Sequence, residues 1–260
     1  MRVTMLGSGA AGGVPMIGNQ WGVCNPKNSK NRRRRASILV EEGDAILLVD
    51  TGPDVKSQLL DAGVTRLDGI LYTHIHADHT HGIDEIRVLN RLQQSVIDVY
   101  GTDNDLNHLS NKFRYIFDSP NIIDGKTTFN KPCLKAIPIT HFEEFNVTGM
   151  KIIPFAQEHG FINSTGYRFG KIAYTTDAVN LPEESFKVLS GVETWIIGCL
   201  QYEPHPSHAH IDRILEWVDR VGPMRAVLTH LSLRIDHQAL SDILPDYIMV
   251  GFDGLVIESI

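Results

Sequence analysis

The chain contains 260 residues, of which 42% are hydrophobic and 21% charged, an ordinary globular composition with enough apolar residues for a large core. Its formal net charge of −7 argues against nucleic acid as the main partner, because no overall positive field attracts a polyanion. Cys24, Cys133 and Cys199 are far apart and odd in number, which argues against a disulfide framework. We expect neither a secretory signal nor a membrane span, and therefore a cytoplasmic protein.

The first half of the chain predicts short strands and helices. Gly43 lies in a turn between two apolar runs, and Asp54 and Gly63 are residue types that begin and end a helix. We expect strands at residues 2–6, 37–40, 45–50, 69–73 and 96–100, and helices at residues 54–62, 83–94 and 104–117.

The second half repeats the strands. We expect them at residues 134–139, 150–155, 164–169, 171–175, 194–198, 225–228 and 255–258, with helices at residues 211–221 and 238–244. In both halves strands first run together and then alternate with helices. This order predicts an α/β fold of two sheets packed face to face with helices outside, as one domain over residues 1–260.

Residues 73–79, THIHADH, offer four potential metal ligands directly after an apolar run. These ligands are His74, His76, Asp78 and His79. A strand end followed by a tight loop aims such side chains at one point. Neutral imidazoles suit zinc and other late first-row divalent ions, and a carboxylate can complete or bridge a site. The alternative is a polar loop in which the histidines only cap and hydrogen-bond.

Three later residues of ligand type also follow apolar strands: His159, Asp177 and His230. Open sheets commonly place their chemistry at the carboxyl ends of strands. Each of the three alone is also explained as a solvated strand-end residue. Together with the first block they make seven ligands, which is what two metal ions sharing a carboxylate and a water require.

In these residues, and in LGSG at residues 6–9 and LVDTG at residues 48–52, the chain resembles the metallo-β-lactamase superfamily. The resemblance covers nearly the whole chain and implies an αββα four-layer sandwich with two metals at the edge between two mixed sheets. It implies one ion on His74, His76 and His159 and the other on Asp78, His79 and His230, with Asp177 bridging. Asp50 would orient the ligand loop, or alternatively serve only as a cap or turn residue.

Finer features resemble the subgroup that contains the phosphoribosyl cyclic phosphodiesterase of the carbon–phosphorus lyase pathway. They are GGVP at residues 12–15, HPSH at residues 205–208 and VGFDGL at residues 250–255. The resemblance implies that His208 lies beside the metals and protonates the leaving alkoxide, acid catalysis that accelerates a reaction about 100- to 10,000-fold. His210 is then a substrate contact or a helix-start residue. The alternative for His205, His208 and His210 is a solvated loop before a helix.

The chain departs from this subgroup where many members carry a structural zinc on clustered cysteines and a histidine. Here the matching positions hold one cysteine, Cys24, and Leu233. We therefore expect no structural zinc, and Trp21 packing is the candidate to order the loop.

The basic run at residues 31–35, NRRRR, precedes a strand. A solvated, charged strand edge is its ordinary explanation. Alternatively one arginine, with Arg35 as the candidate, binds a substrate phosphate, which a guanidinium does through two hydrogen bonds. Alternation puts Arg33 and Arg35 on one face.

The sequence thus predicts a hydrolase with two divalent ions per chain, zinc or manganese, acting on a small phosphodiester that is cyclic or nucleotide-like. His208 and Asp78 are the predicted catalytic residues. The alternatives are a nuclease of the transfer-RNA 3′-processing type and a non-hydrolytic, metal-binding accessory protein of cofactor biosynthesis. The subgroup resemblance further implies a homodimer.

Overall fold

The computed structural model describes residues 1–259, so the expected domain of residues 1–260 extends one residue beyond the described part. The strands are β1 (Arg2–Gly7), β2 (Ser37–Glu42), β3 (Ala45–Val49), β4 (Gly69–Leu71), β5 (Ile97–Gly101), β6 (Asn121–Ile123), β7 (Lys126–Thr128), β8 (Leu134–Pro138), β9 (Phe145–Val147), β10 (Met150–His159), β11 (Ile162–Phe169), β12 (Ile172–Thr175), β13 (Thr194–Gly198), β14 (Arg225–Thr229), β15 (Ile248–Val250) and β16 (Val256–Glu258).

The α-helices are α1 (Val55–Asp61), α2 (Ala77–Thr80), α3 (Arg87–Gln93), α4 (Asp103–Lys112), α5 (Arg114–Phe117), α6 (Glu183–Leu189), α7 (Ile211–Val221) and α8 (His237–Ser241). Short 3₁₀ helices lie at Ser29–Asn31 and Ile83–Ile86. Within residues 1–259, none of the helices is long and apolar enough to cross a membrane.

Each of the two large sheets has seven strands and is part antiparallel, part parallel. In the first, the order is β16-β1-β2-β3-β4-β5-β8, and pairing is parallel from β3 to β8. In the second, the order is β15-β14-β13-β12-β11-β10-β9, and pairing is parallel from β15 to β12. Strands β6 and β7 form a separate hairpin. Adjacent parallel strands run in the same direction, so their carboxyl ends lie side by side. Each sheet therefore has one end at which several strands finish together.

The core has three apolar layers, which is the signature of two sheets between two helix layers. Leu47 of β3 and Ile196 of β13 are buried in the layer between the sheets. Leu48, the next residue of β3, faces the opposite way into the layer under α1 and α4. Trp195 packs with Trp217 of α7 in the third layer. Burial of each large apolar side chain contributes about 1.5–3 kcal/mol. The expected four-layer α/β sandwich with two mixed sheets is confirmed.

Several predicted boundaries differ from those of the structure. Strand β10 continues past Phe155 to His159, because Ala156 to His159 remain paired with β11. The predicted helix at 104–117 is divided at Phe113, whose φ of −122° and ψ of 43° are not helical. The predicted helix at 83–94 begins as a 3₁₀ turn. The sequence analysis missed the short elements α2, α6, β6, β7, β9 and β15.

Arg33 links the segment between β1 and β2 to the residues that follow β14. Its side chain is 2% exposed, and its Nη1 donates to the carbonyl oxygens of Ser232 and Ile235 at 3.0 and 2.8 Å. Its Nη2 donates to Asn31 Oδ1 at 3.2 Å, while Asn31 Nδ2 donates to Asp236 Oδ2 at 2.6 Å. The interpretation of the whole basic run as a solvated strand edge is therefore wrong for Arg33. Its buried side chain connects two segments of the chain through hydrogen bonds.

Cys24 lies beside the buried Arg33 side chain. Its thiol donates to the Ile235 carbonyl oxygen at 3.1 Å, and burial raises the pKa of Cys24, so the sulfur keeps its proton at neutral pH. Trp21 only donates to Asn19 Oδ1 and lies under the Arg32 guanidinium, 5.2 Å from the ring centre. The loop is therefore ordered chiefly by Arg33 rather than by packing of Trp21.

Replacing Arg33 with alanine should lower the free energy of unfolding by roughly 2–4 kcal/mol, because buried carbonyl oxygens and Asn31 lose their donor. Urea unfolding at fixed metal concentration measures the change. Arg32→Ala is the matched control, and this exposed position should cost no more than about 0.5 kcal/mol. Equal effects of the two substitutions would contradict the role given to Arg33.

Candidate metal centre

Seven histidine and aspartate side chains meet where strands of both sheets end. Residues 74–79 follow β4, and α2 carries Asp78 and His79. His159 is the last residue of β10, Asp177 follows β12 by two residues, and His230 follows β14 directly. The structure thus brings together all seven residues that the sequence analysis named as ligands.

These side chains form two groups that share Asp177. One group is His74, His76, His159 and Asp177; the other is Asp78, His79, Asp177 and His230. Within each group, one nitrogen or oxygen atom of every residue lies within 4.8 Å of the others. Asp177 Oδ1 is 3.1 Å from His230 Nε2, whereas its Oδ2 is 3.5 Å from His159 Nε2. The two oxygens of one carboxylate therefore face different groups, as a bridging ligand must.

The backbone at this edge is held in an uncommon conformation. Asp50, Asp177 and His230 have φ values of 65°, 50° and 54°, in the left-handed region that residues with a side chain seldom adopt. Each such residue costs on the order of 1–3 kcal/mol and persists only where the surrounding packing enforces it. The three layers of the core provide that packing, so the side chains keep their directions.

Charge is concentrated in this buried place. Burial alone would raise the pKa of Asp177, but the imidazoles of His230 and His79 hold that pKa well below its usual range. Burial would lower the pKa of His79, yet Asp177, Asp50 and Asp78 raise it well above the ordinary value. Burial, together with His79, lowers the pKa of His74. The site therefore keeps Asp177 ionised and favours positive charge on His79, whereas it disfavours positive charge on His74.

The donor set fits divalent metal ions. His79 Nε2 and both ring nitrogens of His230 are buried and have no hydrogen-bond partner among residues 1–259. His76 Nδ1 lies 2.9 Å from His74 Nε2 and 3.2 Å from His159 Nε2, so three imidazole nitrogens converge on one point. Unpaired buried nitrogens cost free energy unless a cation receives their lone pairs. Nitrogen and carboxylate ligands together suit zinc, manganese or iron.

Asp50 lies behind the candidate ligands and forms hydrogen bonds with His79 and Thr73. It is fully buried and accepts hydrogen bonds from His79 Nδ1 at 2.7 Å and from the Thr73 amide and hydroxyl at 2.8 Å. His159 Nδ1 likewise donates to the Ser207 carbonyl oxygen at 2.7 Å. Such bonds fix the tautomer and leave Nε2 for a metal. The sequence analysis did not single out Thr73 and Ser207, although Thr73 opens the THIHADH block.

His208 lies over the two groups. Its Nδ1 is 3.8 Å from Asp177 Oδ2, and its ring stacks on that of His230 with 5.1 Å between centres. Burial lowers the pKa of His208 to about 3, so the imidazole is neutral at pH 7 in this state. His205 borders it at 5.2 Å between ring centres. His210, by contrast, occupies the N-cap position of α7.

Arg35 lies near the second group but is engaged by a carboxylate. Its Nη1 forms an ion pair with Asp54 Oδ2 at 3.2 Å, while its buried Nε has no partner among residues 1–259. A Cβ added at Gly52 would meet both the Asp78 carbonyl oxygen and Arg35 Cβ, so Gly52 allows the ligand loop and the basic run to approach. Arg35 as a substrate contact stays a prediction.

Comparison with known proteins places this fold and site in a family. Residues 46–231 match the beta-lactamase superfamily domain, which is more than half of the chain. The chain therefore belongs to the metallo-β-lactamase superfamily. Within it, the crystal structure of a diphosphatase from the PhnP family is 32% identical, has a TM-score of 0.89, and is matched over 99% of this chain and 97% of that chain. This similarity is consistent with the subgroup that the sequence resembles.

Two curated relatives are longer than the chain. An octanoyltransferase from Porphyromonas gingivalis is 32% identical over 98% of this chain but only 51% of its own length. A ribonuclease Z from Bradyrhizobium sp. is 30% identical over 53% of this chain and 44% of its own length. The chain thus spans about half the length of these curated relatives.

Replacing Asp50 with asparagine should weaken metal binding by about 10- to 100-fold, because the His79 ring loses the carboxylate that fixes its tautomer. Competition with a chelator of known affinity measures the change. Asp54→Asn is the control, since Asp54 pairs with Arg35 rather than with a ligand. Unchanged affinity in Asp50→Asn would remove Asp50 from the support of the site.

Proposed function

We propose that the chain is a metal-dependent hydrolase with two divalent ions that cleaves a small phosphodiester, cyclic or nucleotide-like. The observation that carries this proposal is Asp177, whose two oxygens face two groups of ligands. When bound, a pair of zinc or manganese ions supplies a Lewis acid for a phosphoryl oxygen and hydroxide at neutral pH.

The chain's own residues then have separate tasks. The imidazoles and Asp78 hold the ions, and Asp50 keeps the His79 ring in place. His208 lies on the open side of the groups, where it can donate a proton to a leaving alkoxide. Burial keeps the ring neutral without substrate, and the negative charge of a bound phosphodiester beside the ring would favour the protonated form.

A nuclease of the transfer-RNA 3′-processing type is the second candidate, supported by the similarity to ribonuclease Z over about half of this chain. The charges favour the small substrate. Arg33 is buried, Arg34 pairs with Asp61 and Asp253, and Arg35 pairs with Asp54. Three of the four arginines of the basic run are thus engaged in contacts within the chain and only Arg32 is exposed, whereas a long polyanion requires several free basic side chains.

The match to the octanoyltransferase covers only part of that protein. Half of the octanoyltransferase relative lies outside the match, so its name does not assign octanoyl transfer to this chain. We infer a homodimer from the subgroup resemblance, and sedimentation of the purified protein tests the dimer.

His208→Ala should lower kcat for a phosphodiester with an alkoxide leaving group, such as a nucleoside 2′,3′-cyclic phosphate, by about 100- to 10,000-fold, because the leaving alkoxide loses its proton donor. Metal content, measured by elemental analysis, should stay at the wild-type level. His81→Ala, an exposed histidine beside Phe113, is the control and should keep full activity. Retained activity in His208→Ala would exclude this residue from the mechanism. Full metal content without turnover of any phosphodiester in the wild type would favour the accessory protein instead.

The salt dependence of catalysis and binding distinguishes the two candidate hydrolase functions. The kcat/KM for a small phosphodiester should change only about 2- to 3-fold between 50 and 200 mM salt, because only one phosphate is neutralised. Precursor transfer RNA should remain uncleaved at the same enzyme concentration. Rapid cleavage of that RNA, with a loss of about 1,000-fold in affinity over the same range, would establish the nuclease.

A further inference from the structure

A cavity of about 400 Å³ is lined in part by residues that lie within two positions of the candidate ligands His74, His76 and His159 in the sequence. Its lining comprises Ile75, Thr102, Asn104, Asp105, His108, His141 and residues 161–165. None of the seven ligands and none of the residues in the proposed mechanism belongs to this lining. The cavity is therefore a separate compartment beside the reacting centre.

The same backbone segments form both the centre and the cavity. Ile75 stands between the ligands His74 and His76, and Phe161 follows the ligand His159 by two residues. The Thr165 amide donates to the Thr73 carbonyl oxygen at 2.7 Å, which joins the cavity wall to the start of the ligand block. The cavity therefore lies next to the start of the ligand block.

The charges of the lining suit an uncharged group. It contains no lysine or arginine, whereas Asp105 is 5% exposed and accepts a hydrogen bond from the Thr102 hydroxyl at 2.6 Å. A second phosphate would meet this carboxyl without a compensating cation. Asn104 and His108 add side chains that both donate and accept hydrogen bonds.

His141 is placed to form a hydrogen bond with the edge of a flat ligand ring. Its Nε2 bonds to Thr165 Oγ1 at 2.9 Å, and burial lowers the pKa of His141, so the ring is neutral. A neutral imidazole has one donor and one acceptor nitrogen, and Nδ1 is left for a ligand.

Phe161 provides an aromatic face at the rim. It lies in the turn between β10 and β11 and is fully exposed, although a large aromatic side chain normally gains by burial. The turn is fixed against the loop of His208, because a Cβ added at Gly160 would lie 2.8 Å from Ser207 Cβ. Phe161 therefore stands at a set position between the His208 loop and the cavity.

We propose that this cavity binds the base of a nucleotide-type substrate, with Phe161 stacking on the base and the phosphoryl group at the metal centre. The proposal rests on the proposed phosphodiester hydrolysis and narrows its substrate to one that carries a nucleobase. The apolar side chains of Ile75 and Ile162 contact the faces of a flat ring, while the polar groups meet its edge.

Binding to the metal-loaded protein tests this subsite without turnover. Calorimetry compares adenosine 5′-monophosphate with ribose 5-phosphate, which differ only by the base. Wild-type protein should bind the nucleotide about 10-fold more tightly, as stacking on one aromatic side chain predicts. Phe161→Ala should reduce that ratio to about 2, whereas Phe161→Tyr should keep it. Tyr247→Ala, another exposed aromatic position, is the control and should leave the ratio unchanged.

The outcomes are separable from those of the proposed function. Equal affinity for the two compounds in the wild type, or a ratio that Phe161→Ala leaves intact, overturns the base subsite. The same result follows if neither compound binds at millimolar concentration. A preference for the nucleotide that depends on Phe161, in a protein that turns over no phosphodiester, supports the subsite and contradicts the hydrolase.

Discussion

The constraint on which this molecule depends is the burial of three carboxyl groups, Asp50, Asp78 and Asp177, among imidazoles at one sheet edge. Taking an ion out of water costs several kcal/mol, and a whole domain is stable by only about 5–15 kcal/mol. The cluster can exist only because the charges compensate one another. Imidazoles do so in part, and divalent cations would complete the compensation where nitrogen lone pairs have no other partner.

The arrangement of the strands brings these charged side chains close together. Parallel pairing in both sheets ends several strands together, and the short loops that follow carry the ligands. Three packed layers hold Asp50, Asp177 and His230 in left-handed backbone conformations that an isolated loop would abandon. What surrounds the ligands then decides the reaction, since this fold hosts many chemistries. Here a histidine lies over the candidate ligands, and a cavity without lysine or arginine, with Phe161 in its lining, lies beside the segments that carry them.

Prediction from sequence succeeded where a local pattern has a direct structural meaning. An apolar run next to a turn identified strand β3, whose Leu47 and Leu48 the structure buries on opposite faces, and helix α7 was found with its observed bounds. It failed where neighbours distant in sequence decide the structure. His159 ends a strand rather than a loop, because pairing with β11 extends β10 through polar residues. Arg33 is buried because carbonyl oxygens some two hundred residues away receive its guanidinium.

The sequence by itself determined the layered α/β architecture and the seven residues that the fold gathers, because strand periodicity and ligand spacing are properties of short segments. The division of those residues into two groups was implied only by the family resemblance, and the tertiary structure brings their atoms to the distances that such a division requires. It set Asp177 between two groups, Asp50 behind His79, and Phe161 at the rim of a separate cavity. These relations join side chains from different strands and loops, and their distances are fixed only when both sheets pack together.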